Sequence, residues 1–167
     1  GLAVSTVDGE VYDAGDVDAT FTIQSISKPF LHALAIPEHG LDAVQAQVDV
    51  EPSGEAFDEL SLEERSGRPL NPMINAGALV VHTMMGPPRE RFDRILAGLS
   101  AFAGRPLEVD EAAYQSEVGT AFRNYAIANM LRSHDTISED PPEVVAGYTP
   151  ECAIRVTTRE LALMAVT

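Results

Sequence analysis

A chain of 167 residues, 45% hydrophobic and 22% charged with no low-complexity run, can bury one sizeable core and does not have the composition of a disordered segment. Its 26 acidic against 11 basic side chains give a net charge of −15, and residues 1–64 hold Lys28 as their only cation, so repulsion excludes nucleic acid and anionic membrane as partners. The longest apolar run, 76–81, is broken by Gly77 and far too short for a bilayer, the first residues show no basic signal segment, and the single Cys152 excludes an internal disulfide and fits a reducing compartment.

Along the chain, Leu2 to Val7 and Glu10 to Tyr12 flank Asp8-Gly9, which reads as a hairpin. Gly15-Asp16 is a second turn, and Thr20 to Ile23 is a third strand running into a helix with Phe30, Leu31, Leu34 and Ala35 on one face. Pro29 is tolerated in its first turn, Pro37 is expected to kink or end it, and Gly40 stands just past the end. Residues 51–54 and 67–72 are turn-rich loops, and 74–85 is apolar enough to be a buried helix. Pro88 opens an amphipathic helix with Phe92, Ile95, Leu96, Leu99 and Phe102 at helical spacing, and a further helix is expected from Gly119 to Ser133. Thr157 to Glu160 is a capping box for an apolar helix over 161–166. That helix reaches Thr167 with no closing signal, so the chain reads as part of a longer protein.

Chemistry concentrates in residues 21–30. Ser25 and Lys28 form an S-x-x-K pair, which on a helix puts the amine on the same face as the hydroxyl. A serine hydroxyl needs a neighbouring base to attack, and a lysine amine can be that base. Lys28 is the only lysine beside ten arginines, and of the two only an amine can give up a proton near neutrality. The plain alternative makes Ser25 an N-cap and Lys28 a solvated first-turn side chain. The four histidines match no metal spacing, so no metal or other cofactor is expected.

Five segments occur in order: Gln24 to Phe30, Glu51 to Gly54, Asn71 to Ala78, Ser116-Glu117 with Arg123 to Ala126, and Tyr148 four residues before Cys152. Together they resemble the serine-dependent glutaminase family. The resemblance implies an α/β fold of the α+β type, β-lactamase/D,D-peptidase-like, with an antiparallel sheet flanked by helices and a mostly helical subdomain. Residues 1–23 would supply sheet strands and 24–167 the nucleophile helix and helical subdomain, the C-terminal part of the domain lying outside the chain. It implies a cytoplasmic amidohydrolase that converts L-glutamine to L-glutamate and ammonia, without cofactor, as a homo-oligomer (dimer or tetramer).

By the same resemblance Ser25 is the nucleophile and Lys28 its base, while Ser25, Asn75, Glu117, Asn124 and Tyr148 hold the substrate. The types suit an amino acid: its ammonium calls for a carboxylate and its carboxylate for neutral donors. Each has a structural alternative. Asn75 could cap the helix that follows it, Glu117 could be a first-turn acid, Tyr148 a packed loop aromatic, and Asn124 a structural residue in a helix interior, where asparagine is a poor choice without a partner.

The chain lacks the family's upstream substrate tyrosine, its later proton-transfer tyrosine and its glycine-rich segment near the second oxyanion donor. Expressed alone it is therefore expected to be inactive and poorly folded. The rival enzyme is a penicillin-recognising hydrolase, which shares the S-x-x-K helix but calls for a Lys-Thr-Gly strand that is not visible. The rival non-enzyme is a regulatory module, disfavoured by the intact Ser25 and Lys28.

Overall fold

In the computed structural model, which describes residues 1–56, 59 and 61–167, the chain opens with the expected hairpin. Leu2–Ser5 (β1) pairs antiparallel with Val11–Ala14 (β2), and Gly9 N–H donates to the Thr6 carbonyl at 2.9 Å to close the turn. Thr20–Thr22 (β3) does not extend this sheet. It pairs antiparallel with Arg155–Thr157 (β4) near the other end of the chain, giving two separate two-stranded sheets. Local alternation marks 20–23 as extended but does not specify a distant partner.

Helices supply the remainder. Ser27–His39 (α1) runs through Pro37 and stops at Gly40, whose N–H reaches the Ile36 carbonyl at 2.7 Å. The expected break at Pro37 is thus corrected: so close to the C-terminus, the proline forfeits one bond and Gly40 sets the stop. Leu41–Gln47 (α2) follows at once and packs on α1. Asn75–Met84 (α3) is the buried helix, with every residue from Ala76 to His82 inaccessible. Pro88–Ala103 (α4) starts at its proline, buries Ile95 and Leu99, and ends at the left-handed Gly104.

In place of one helix over 119–133 there are two, Glu111–Thr120 (α5) and Phe122–Ser133 (α6), which meet at Ala121. Asp110 caps α5 by accepting from Ala113 N–H at 3.0 Å. Pro141–Cys152 (α7) was unforeseen; Pro141 and Pro142 occupy its first positions, where no N–H is missed. The capping box holds: Thr157 Oγ1 accepts from Glu160 N–H at 3.2 Å, and the Glu160 carboxylate accepts from Thr157 N–H at 2.8 Å. The helix it starts, Thr158–Met164 (α8), ends at Met164 rather than Val166.

The core forms around α3, which packs on α1, α2, α6 and α7, while α4 spans α7 and α8. Leu31, Leu79, Ile95, Leu99, Leu131, Val144 and Ile154 are fully buried there, each contributing about 1.5–3 kcal/mol by leaving water. Close approach demands glycine at position 77, where a Cβ would stand 2.0 Å from the Asn71 carbonyl oxygen. The 71–72 turn therefore lies directly on α3 and delivers Met73 and Asn75 to α1. No described helix is long and apolar enough to cross a membrane.

Candidate active site

The site is built where β3 gives way to α1. Ile23 N–H donates to the Ile154 carbonyl at 2.8 Å, carrying the β3–β4 pairing one residue further, and Ile23 is fully buried. Gln24 then adopts φ 51°, a left-handed conformation that costs of order 1–3 kcal/mol in a residue with a side chain. Its carboxamide compensates by donating to Thr22 Oγ1 and to Glu117 Oε1, both at 3.1 Å. The bend starts a single 3-10 turn over Gln24–Ile26, placing Ser25 at the surface immediately before α1. Ser27 Oγ donates back to the Gln24 carbonyl at 2.9 Å and braces the turn.

Lys28 points inward and is 2% exposed. Its Nζ donates to the Met73 carbonyl at 3.0 Å and to Asn75 Oδ1 at 2.6 Å. Both acceptors are aimed by Asn71, whose Oδ1 takes the N–H groups of Met73 (3.0 Å) and Ile74 (3.2 Å), while its Nδ2 donates to the Glu51 carbonyl at 2.9 Å. Because an ammonium only donates, the Asn75 carboxamide must turn its oxygen toward Lys28. Its Nδ2 then donates to Asn124 Oδ1 at 2.9 Å. The polarity propagates one step further and aims the Asn124 Nδ2 donors away from Asn75.

Tyr148 closes the arrangement. It is 2% exposed, its hydroxyl shares a hydrogen bond with the Cys152 thiol, and burial, reinforced by Cys152 and the Glu151 and Glu117 carboxylates, holds its pKa well above the usual 10. It therefore stays a protonated donor at neutral pH. Burial likewise pushes the Cys152 thiol up to about 12, so it is inert as a nucleophile. Glu117 is half-buried and joined to the Ser25 turn through Gln24.

The fold thus connects Lys28, Asn75 and Asn124 in one hydrogen-bonded chain, links Glu117 to the residue before Ser25, and sets Tyr148 within electrostatic reach of Glu117. The structural alternatives fare differently. Lys28 is not solvated. Ser25 caps nothing, since Ile23 and Ile26 stand at the cap positions of the turn and of α1. Asn75 is the first helical residue, with Ile74 at the cap, and Glu117 sits in the later part of α5. Tyr148 is indeed a packed aromatic, buried in the core, but on a helix rather than a loop, and Asn124 lies in the first turn of α6 rather than in an interior. Sequence reasoning gave no role to Gln24 or Cys152. Gln24 adjoins the S-x-x-K pair, but its left-handed backbone leaves no mark in composition. Among the described residues no group of three or more His, Cys, Asp or Glu could hold a metal.

Comparison with known proteins shows the family. The family model described as Glutaminase matches residues 1–167. A glutaminase of Corynebacterium glutamicum is 48% identical over 99% of this chain, which covers 41% of that protein. The crystal structure of Mglu in its native form is 48% identical with a TM-score of 0.91, covering 98% of this chain and 40% of that one. Its glutamate form is equally similar, at 48% identity and a TM-score of 0.91 over 98% of this chain and 39% of that one. The chain spans about two-fifths of the length of these relatives. By the extent and identity of these matches, the chain belongs to the glutaminase family.

Proposed function

We propose that these residues form part of an active site that hydrolyses L-glutamine to L-glutamate and ammonia, and that residues 1–167 are one portion of the domain that does so. The observation that carries this reading is the buried Lys28, anchored on Met73 and Asn75 beside a surface serine. In its neutral form two N–H groups satisfy those oxygens, and the nitrogen lone pair is the proton-accepting position. Lys28 takes the Ser25 Oγ proton as Oγ bonds to the side-chain amide carbon of glutamine. The C–N bond breaks, the amide nitrogen leaves as ammonia carrying the proton from Lys28, and a glutamyl ester remains on Ser25. Water, deprotonated by the same amine, then cleaves the ester.

Recognition follows from the donor set. Glu117 pairs with the substrate ammonium, while the Asn124 amide and the protonated Tyr148 hydroxyl meet the carboxylate. The backbone N–H of Ser25 faces the developing oxyanion, that of Ile26 being donated to the Ile23 carbonyl. Mglu has a glutamate form, which supports a glutamate-sized ligand for this site. The single cysteine of residues 1–167 fits a reducing, cytoplasmic location, and the assembly inferred from the family is a homo-oligomer, to be read by light scattering. The direct test is ammonia release from glutamine by the natural polypeptide carrying these residues. Ser25→Ala should abolish it while leaving the circular dichroism unchanged, and more than trace release by that variant would refute the reading.

A further inference from the structure

A second polar cluster is sealed within the core, where α3, α4 and α7 meet. His82, Arg91 and Glu151 are each 3% exposed or less. His82 Nδ1 lies 2.5 Å from Glu151 Oε1, and Arg91 Nη1 faces His82 Nε2 at 3.4 Å. Arg91 grips both carboxylate oxygens of Glu139, at 2.7 and 3.0 Å, and donates to the Thr83 and Gly86 carbonyls at the end of α3. Gly147 comes so near that a Cβ would stand 2.9 Å from His82 Nε2, so α7 rests on the imidazole.

The proton positions follow from what each group can do. A guanidinium only donates, so a proton on His82 Nε2 would oppose a fixed positive charge. The Nε2 lone pair therefore faces Arg91, and the ring proton sits on Nδ1, from which it donates to Glu151. The reverse arrangement, with Glu151 donating to a bare Nδ1, would return a proton to Nε2 against Arg91. Burial raises the Glu151 carboxyl, whereas His82 and Arg91 oppose that rise. Its second oxygen, Oε2, has no hydrogen-bond partner among the described residues, so the side-chain hydrogen bond that holds this carboxylate is the one from His82.

We propose that Arg91, His82 and Glu151 form a positioning chain for Tyr148, locking α7 against α3 so that the Tyr148 hydroxyl is presented to the substrate. Asn75 and His82 are two turns apart on one face of α3, about 10 Å along its axis, and Tyr148 and Glu151 are neighbours one turn apart on α7. The same two helices thus carry a site pair and a locked pair, and the His82 and Tyr148 rings meet edge-on at 6.1 Å. Glu151 and Arg91 do not touch the reacting atoms. The inference rests on the role proposed for Tyr148 in holding glutamine.

Two readouts in the natural polypeptide test it. Nitrogen-15 histidine spectra, assigned with His82→Gln, should show Nδ1 protonated and Nε2 bare near neutral pH. Glu151→Ala should shift the Tyr148 ring resonances and raise KM for glutamine about tenfold with a smaller change in kcat. Glu151→Gln, which keeps an acceptor for Nδ1–H, should restore both. In a Tyr148→Phe background Glu151→Ala should add no further KM penalty. A proton on Nε2, or a Glu151→Ala penalty undiminished without the Tyr148 hydroxyl, would overturn the proposal. Should Glu151→Ala not fold, His82→Asn keeps an N–H at the Nδ1 position and must preserve the Tyr148 resonances, whereas His82→Leu must shift them; equal shifts would overturn it. If the unsubstituted protein releases no ammonia, the glutaminase reading fails and the spectra alone decide the positioning chain, which unmoved Tyr148 resonances in Glu151→Ala would sink.

Discussion

Two buried cations grip opposite ends of α3, and they are built for different tasks. Lys28 enters at the N-terminal end, beside a surface serine, and donates to a backbone carbonyl and a carboxamide. Arg91 enters at the C-terminal end, away from that opening, and is clamped by both oxygens of Glu139. A guanidinium balanced by a carboxylate is a fixed charge that cannot deprotonate in a protein and can orient its neighbours. An amine, unlike a guanidinium, can change its protonation state while keeping its contacts to the Met73 carbonyl and Asn75 Oδ1. Equal burial therefore accommodates two kinds of cation, which differ in whether they can give up a proton.

Substitutions at the two ends should separate cleanly. Lys28→Arg should reduce ammonia release by about 10²–10⁴-fold, the usual contribution of general acid–base catalysis, while the protein stays folded; retention of activity would return Lys28 to a structural role. Arg91→Met should do the reverse. It leaves Glu139 without its partner and should cost about 3 kcal/mol in denaturant stability, with kcat falling far less than in Lys28→Arg. At the site end, Glu117→Gln should raise the barrier in kcat/KM by about 2 kcal/mol for glutamine and by much less for an analogue without the α-amino group. Equal losses on both substrates would make Glu117 a scaffold for Gln24.

The alkaline limb gives the most gradual effect. Cys152 has an ordinary value of 9.0 and sits at about 12 in the folded protein, so above pH 9 the unfolded chain releases a proton that the folded one keeps. Stability should be intact below pH 9 and decline from there to pH 12, by at most roughly 1.4 kcal/mol per pH unit. Tyr148, raised in the same direction, adds to the decline above pH 10. Cys152→Ala should flatten this limb in urea titrations at successive pH values; an unchanged slope would show that the thiol titrates freely.

How much of this was legible in the sequence varies with the range of the interaction. The hairpin, α3, the amphipathic α4 and the capping box depend on near neighbours, and local pattern revealed each of them. Lys28 stood out because the chain has no other lysine. Arg91, one of ten arginines on an amphipathic helix, gave no such signal, and neither did His82 or Glu151, since burial and mutual contact are tertiary facts. The β3–β4 pairing joins opposite ends of the chain and has no local signature. Helix α7 had no clear local signature: Pro141 and Pro142 fall in its first turn, where no N–H is missed, but Pro150 lies inside it near the C-terminal end and forfeits one bond. The motif segments singled out Ser25, Lys28, Asn75, Glu117, Asn124 and Tyr148 as candidates, yet the direction of the Lys28, Asn75, Asn124 chain required coordinates.

The central claim, that the Lys28 end is the reactive one, is tested most directly by trapping the intermediate. The natural polypeptide mixed with glutamine, quenched in acid within one turnover and digested, should yield a Ser25 peptide heavier by one glutamyl group. The adduct should vanish in Ser25→Ala and be strongly depleted in Lys28→Arg, yet persist in Arg91→Met. Ammonia release with no adduct on Ser25, or an adduct that Lys28→Arg leaves at full yield, would contradict the account.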